Sequence, residues 1–448
     1  MEKIKQKAVG LFLFFAYLVK WLLLSGVTGA AVGAIGAGFI WLLNTASGFA
    51  AGFSYYYLFL PIGMFLSAFA VKHLAPGAEG HGTEKAIEAI HKRGGRIKLG
   101  VVPVKIIATV ITIGSGGSAG KEGPTTQIGA GAASFLAGLF HLDEKDTKRL
   151  VVAGMAAAFA AIFGTPVAAA IFAIEVLIVG RIDLKNIFPV MIASLAGYFV
   201  SSAFGIETEK MPEIFLTLAW NNALPTVGIA LGAGIFFGLV SMLTILVLGG
   251  THKIANKIKI YKPLKGLIGG AAIVLLALVF GTDYLGMGIG YFTRIIGGDP
   301  ARGYDFLLKI VFTAITLSFG GSGGILTPLM FIGITSGSAF AALFHLDPVV
   351  FSALGMLAVL ASATNTPLAC IVMAFEMFLN PSLAVLAAVA CSIAYIVTGH
   401  RSVYPTQMMK ESKITGVWLE SETAEHPSER FIYSRWLEKL REWGKKKK

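Results

Sequence analysis

Lys105–Pro124 reads KIIATVITIGSGGSAGKEGP, and Lys309–Pro328 reads KIVFTAITLSFGGSGGILTP. At an offset of 204 the two stretches agree at ten of twenty positions. The same offset carries FHLD at Phe140–Asp143 to FHLD at Phe344–Asp347. At an offset of 201, Gly154–Val176 (GMAAAFAAIFGTPVAAAIFAIEV) repeats as Gly355–Met377 (GMLAVLASATNTPLACIVMAFEM), with Gly-Met, Thr-Pro and Glu in step. Two ordered matches of this length mark a duplicated unit. Duplication of apolar segments broken by Gly and Pro is the pattern of repeat-built membrane transporters.

Composition points the same way. Of 448 residues, 55% are hydrophobic and 14% charged, where a soluble domain carries ~25% charge. So little charge could not cover a soluble globule of this size, and the content excludes a disordered chain, a coiled coil or a disulfide scaffold. Cys370 and Cys391 lie in apolar runs and read as packing residues. Apolar segments run from about Leu11 to Val397. At ~20 residues per span that length holds well over a dozen helices. The expected fold is an all-α polytopic membrane protein: a segment 1–10, a first repeat 11–205, a loop 206–222, a second repeat 223–410 and a basic tail 411–448.

Charge placement gives orientation. Basic groups cluster at Lys3–Lys7, Lys92–Lys98, Lys253–Lys265 and Lys445–Lys448, and acidic groups at Glu207–Glu213. Cytoplasmic loops hold the Lys/Arg excess, so both termini are expected inside and the 207–222 loop outside. The +12 net charge is then a membrane rim, and no nucleic-acid partner is expected. Lys92–Lys98 is strongly basic, but its counterpart near Phe292–Gly303 is almost neutral. Equivalent elements therefore start on opposite sides, which makes the repeats inverted, with many tilted and broken helices. In the tail, Pro427–Gly444 spaces Ile432, Trp436, Leu440 and Trp443 as an amphipathic helix would.

The Gly-rich turn Gly114–Pro124 is not a phosphate loop. Ser115 stands where that motif needs Gly, and Glu122 replaces its Ser/Thr. Unwound backbone at membrane depth lines a cavity or is buried in protein. Pro124 and Pro328 suit the first turn of a following helix, and helix N-termini attract anions through free N–H groups and the helix dipole. Two such starts, one per repeat, would make an anion site; close helix packing is the other use for these glycines. Ionisable residues at this depth are functional suspects. Glu122 is the sharpest, because its repeat mate is Leu326. Lys105 and Lys309 are repeat mates and could attract anions or pair with carboxylates. Glu175 and Glu376 occupy equivalent helix ends, which favours a structural role. No HExxH motif or Ser/His pairing points to an enzyme.

These motifs resemble the CLC family of chloride channels and proton/chloride exchangers, across roughly residues 20–410. GKEGP at Gly120–Pro124 is similar to the family's G(R/K)EGP, which implies that Glu122 is the gate, with Lys121 and Gly123 beside it. GGILTP at Gly323–Pro328 resembles GxFxP, implying anion binding at the N–H groups of Ile325 and Leu326. PVK at Pro103–Lys105 implies that Lys105 lends positive potential to the pathway, and RSVYP implies that the Tyr404 hydroxyl touches the central anion. The family's GSGIP appears as GHGTE, Gly80–Glu84, so His81 and Gly82 would line the inner anion site. The exchangers' Glu-Glu pair is Glu175-Val176, so Val176 removes the usual internal proton acceptor.

The resemblance implies a homodimer in the cell membrane in which each subunit conducts chloride or a similar anion. No cofactor or metal is expected, and membrane lipid is the surrounding partner. With Val176 in place, the expected activity is passive, voltage- or pH-modulated conduction gated by Glu122. The alternative is a proton-coupled chloride antiporter, or a transporter of fluoride or nitrate.

Overall fold

The computed structural model describes residues 2–206, 211, 212, 214, 216, 217, 220–410, 412, 413, 417–419, 423, 424 and 429–431. Among them are sixteen α-helices in two successive sets of eight. The first set is α1 (Glu2–Ala51), α2 (Leu60–Leu74), α3 (Thr83–Lys92), α4 (Val101–Gly114), α5 (Glu122–Leu139), α6 (Glu144–Phe163), α7 (Pro166–Glu175) and α8 (Ile187–Ala203). The second is α9 (Trp220–Lys257), α10 (Lys262–Phe280), α11 (Ile289–Ile296), α12 (Asp305–Ser318), α13 (Leu326–Phe344), α14 (Pro348–Thr364), α15 (Pro367–Phe378) and α16 (Pro381–Val397). Six helical stretches are long and apolar enough to cross a membrane, and five shorter apolar helices lie among them. The chain is a multi-pass membrane protein, and its short helices are why hydropathy alone undercounts the architecture.

The repeated motifs are helix punctuation. In each FHLD the histidine (His141, His345) takes a left-handed conformation just after a helix, with φ of 50° and 53°. The aspartate then caps the next helix: Asp143 accepts from the N–H of Asp146, and Asp347 from those of Val349 and Val350. In the Thr-Pro pairs, Pro166 and Pro367 open α7 and α15, where a missing N–H costs nothing. Between the pairs of long helices, small residues allow contact. A Cβ on Gly129 would lie 2.4 Å from the carbonyl oxygen of Gly154, and one on Gly333 would lie 2.4 Å from that of Gly355. Helices α5 and α6 cross in one half as α13 and α14 do in the other.

The halves meet through reciprocal bonds, as two units related by a pseudo-two-fold axis require. Gly120 N–H donates to the Gly324 carbonyl (2.8 Å) and Gly324 N–H to the Gly120 carbonyl (2.7 Å), an antiparallel bridge between equivalent residues. Ser118 N–H donates to Thr316 Oγ1, and the equivalent Ser322 N–H to Thr112 Oγ1, both at 3.0 Å. The carboxylates of Glu175 and Glu376 cap each other's helices, the structural role expected for them.

After α16 the chain returns to the first half. β1 (Ile178–Val179) pairs in parallel with β2 (Met408–Met409), and β3 (Val417–Leu419) pairs antiparallel with β4 (Glu429–Phe431). The expected tail helix is corrected at its start: Glu429–Phe431 is a strand held by a cross-strand partner. Its remainder, the Lys445–Lys448 cluster and most of Glu207–Glu213 lie outside the described residues.

Candidate functional site

Three helix starts converge where the halves touch. Gly82 precedes α3, and a Cβ there would lie 2.2 Å from the Gly123 carbonyl oxygen. A Cβ on Gly123 would lie 2.1 Å from the His81 carbonyl oxygen, and one on Gly324 would lie 2.7 Å from the Gly123 nitrogen. Only glycine lets these backbones approach so closely. The N-termini of α3, α5 and α13 therefore share one small volume, each with N–H groups that no helical carbonyl can satisfy. A negative charge is favoured there by dipole and donors together.

Glu122 already uses such a donor set. It is 2% exposed, and its Oε2 accepts from the Thr327 hydroxyl at 2.5 Å and from the Thr327 N–H at 3.2 Å. Its carboxylate thus sits at the start of α13, on the opposite half. Leu326, its repeat mate, is fully buried beside Ile325, just ahead of Thr327. Next to this contact is a cavity of about 20 Å³, lined by Lys121, Glu122, Phe163, Met211 and Thr327. That is room for about one water. Lys121 is 9% exposed and brings positive charge to this mouth.

On the other side of Gly123 lie His81, Thr83 and Tyr404. Tyr404 is fully buried and faces Thr83, with Glu122 and Glu84 its nearest acidic neighbours. The Tyr404 and Thr83 hydroxyls face each other without making a hydrogen bond of good geometry, and His81 Nδ1, with the Glu84 carboxylate 3.7 Å away, makes none among the described residues either. Buried polar atoms are almost always well bonded, so two hydroxyls without a well-made bond around converging helix starts suit a bound anion. Hydroxyl donors at Thr83 and Thr327 are the residues that sequence reasoning missed. Thr327 was visible inside GGILTP, but nothing local showed that it faces Glu122.

Lys105 serves the site indirectly. Its buried ammonium donates to the carbonyls of Ala78 (3.1 Å) and Gly80 (2.7 Å), and so fastens the loop that carries His81. Lys309 repeats the arrangement with Tyr284 and Gly286, both at 3.0 Å. Val176 is fully buried at the end of α7. Its carbonyl accepts from Gln407 Nε2 at 2.8 Å, and its side chain offers no titratable atom.

Comparison with known proteins places this geometry in a family. Residues 63–399 match the family described as Voltage gated chloride channel. The chain is 34% identical over 409 residues to a chloride/fluoride channel protein of Pseudomonas syringae pv. tomato, covering 89% of this chain and 88% of that one. It is 28% identical to the H(+)/Cl(-) exchange transporter ClcA of Klebsiella pneumoniae, over 87% of this chain and 88% of the other. Among solved structures, a CLC-type fluoride/proton antiporter superposes with a TM-score of 0.82 at 32% identity, covering 88% of this chain and 98% of that chain. A slow cyanobacterial Cl-/H+ antiporter shares the fold, with a TM-score of 0.75 at 21% identity over 84% and 94%. The chain belongs to the voltage-gated chloride channel (CLC) family.

Proposed function

We propose that this CLC family member is a proton-coupled anion antiporter, with fluoride the favoured anion. The contact between Glu122 and Thr327 carries the reading. A hydroxyl and a backbone N–H that hold one carboxylate oxygen this closely would equally hold a compact, hard anion in place of its hydration shell. Carboxylate and anion then compete for one donor set. An ionised Glu122 occupies it; a protonated one no longer needs it, swings away, and carries the proton as the anion enters. Two relatives above 30% identity carry fluoride in their names, which supports the anion assignment.

The passive channel expected from Val176 gives way to the antiport alternative. Proton/anion antiporters are found among both the sequence relatives and the solved structures similar to this chain. An aliphatic residue at one position leaves other routes for the proton. A homodimer with both termini cytoplasmic belongs to the same proposal; cross-linking and cysteine accessibility test those two features.

The deciding experiment measures fluoride, chloride and proton flux in parallel from purified protein in liposomes. A fluoride gradient should drive protons uphill at a fixed ratio, and excess chloride should compete weakly. Anion flux without uphill proton movement would return the protein to the passive class.

A further inference from the structure

With Val176 aliphatic, antiport needs another group that exchanges protons between the inner solution and Glu122. The departure of GHGTE from the family pattern supplies one. Glu84 stands in the first turn of α3, and its Oε2 lies 3.7 Å from His81 Nδ1, both side chains being about one-sixth exposed (17% and 16%). It therefore touches solvent and the site at once. Further in, the Tyr404 hydroxyl faces Thr83, with Glu122 and Glu84 as its acidic neighbours. The backbone holds this order: the Thr406 hydroxyl donates to the Glu84 carbonyl at 3.0 Å, tying α3 to the segment that bears Tyr404. The other charges whose fields reach this group are Lys85, Lys105, Glu79 and His252 of α9.

We propose that Glu84 is the inner proton-exchange residue of this transporter, delivering protons to Glu122 past His81 and Tyr404. One O–H bond breaks at the Glu84 carboxyl and one forms at the Glu122 carboxylate. Inner water then reprotonates Glu84, and no other group changes. The alternative use of Glu84, as a counter-charge that tunes Lys105 and hence anion affinity, would leave the ratio of protons to anions untouched.

The inference rests on the antiport reading, so the wild-type protein is assayed first in fluoride-loaded liposomes, with a fluoride electrode and a pH dye. Failure of the wild type to pump protons would sink both ideas. Given wild-type pumping, Glu84→Gln should lower proton flux about a hundredfold, the scale of a lost general acid/base, while anion flux persists. Glu84→Asp, which keeps a shorter carboxylate, should fall between the two. Wild-type proton flux and ratio in Glu84→Gln would overturn the assignment of Glu84 alone. So would a changed anion affinity with an unchanged ratio. Should Glu84→Gln reconstitute without any flux, Glu84→Asp decides: proton flux that falls while anion flux persists supports the proposal, and both fluxes falling together at an unchanged ratio counts against it.

Discussion

Glu175 and Glu376 each cap the helix that ends in the other. Glu175 accepts from the N–H groups of Leu368 (3.0 Å) and Ala369 (2.8 Å) at the start of α15, whose last turn bears Glu376. Glu376 accepts from Val167 (3.0 Å) and Ala168 (2.7 Å) at the start of α7, which Glu175 closes. The two sites differ in burial: Glu175 is 7% exposed, whereas Glu376 lies nearer the surface. Glu175→Ala strands one buried donor, at Ala369, and one partly buried donor, at Leu368, and should cost about 1–3 kcal/mol. Glu376→Ala should cost less, since its Val167 donor is exposed and its Ala168 donor only partly buried. Unfolding of the detergent-solubilised variants checks this; equal losses would contradict the burial argument.

Glu122→Gln keeps the shape of the side chain and removes its charge. Anion flux in liposomes should become nearly independent of pH and lose its link to protons. A pH dependence unchanged from wild type would rule out Glu122 as the gate.

Thr327 is a donor that carboxylate and anion would share. Thr327→Val deletes a hydrogen bond to a charged group, worth about 1.5–3 kcal/mol. Because both competitors lose the same donor, the expected result is anion flux with poor proton coupling. Thr327→Ser should restore the wild-type ratio. Full coupling in the valine variant would show that the hydroxyl is dispensable.

Tyr404→Phe removes one of the two hydroxyls without a well-made bond and nothing else. Calorimetric anion affinity should fall by about 1 kcal/mol, roughly fivefold, as for one neutral hydrogen bond. Identical titrations for both proteins would take Tyr404 out of the site.

Gly123→Ala would drive a methyl group into the His81 carbonyl at 2.1 Å. Overpacking of this kind costs about 1–3 kcal/mol and should separate the converging helix starts. The control Gly138→Ala, in the last turn of α5, meets nothing within 4 Å. The first variant should lose anion binding and thermal stability, and the control should keep both.

Much of this arrangement was legible because its signals are local. FHLD carries a helix stop and a helix start in four residues, so its recurrence reported the duplication directly. Glu122 stood out because its repeat mate is Leu326. Contacts between the halves left no such trace. Thr327 and Glu122 are 205 residues apart, and a threonine near a helix start has many ordinary uses. Val176 points to a passive channel, whereas antiporters among the similar proteins favour the alternative; a missing carboxyl at one place carries no information about a carboxyl at another. In the tail, helical spacing from Ile432 onward suggested a helix reaching back to Pro427. The pairing of Glu429–Phe431 with Val417–Leu419 decides its first residues instead, and a short segment's periodicity cannot foresee a partner strand.

The two bonds between Gly120 and Gly324 have a mechanical meaning. They join equivalent buried residues of the two halves, in an interior without solvent to replace them, where an amide hydrogen bond is worth about 4–6 kcal/mol. Prying the halves apart like jaws would break both at once. In the proposed cycle the pair would act as a fixed pivot pin, leaving the movement to individual side chains around a stationary frame.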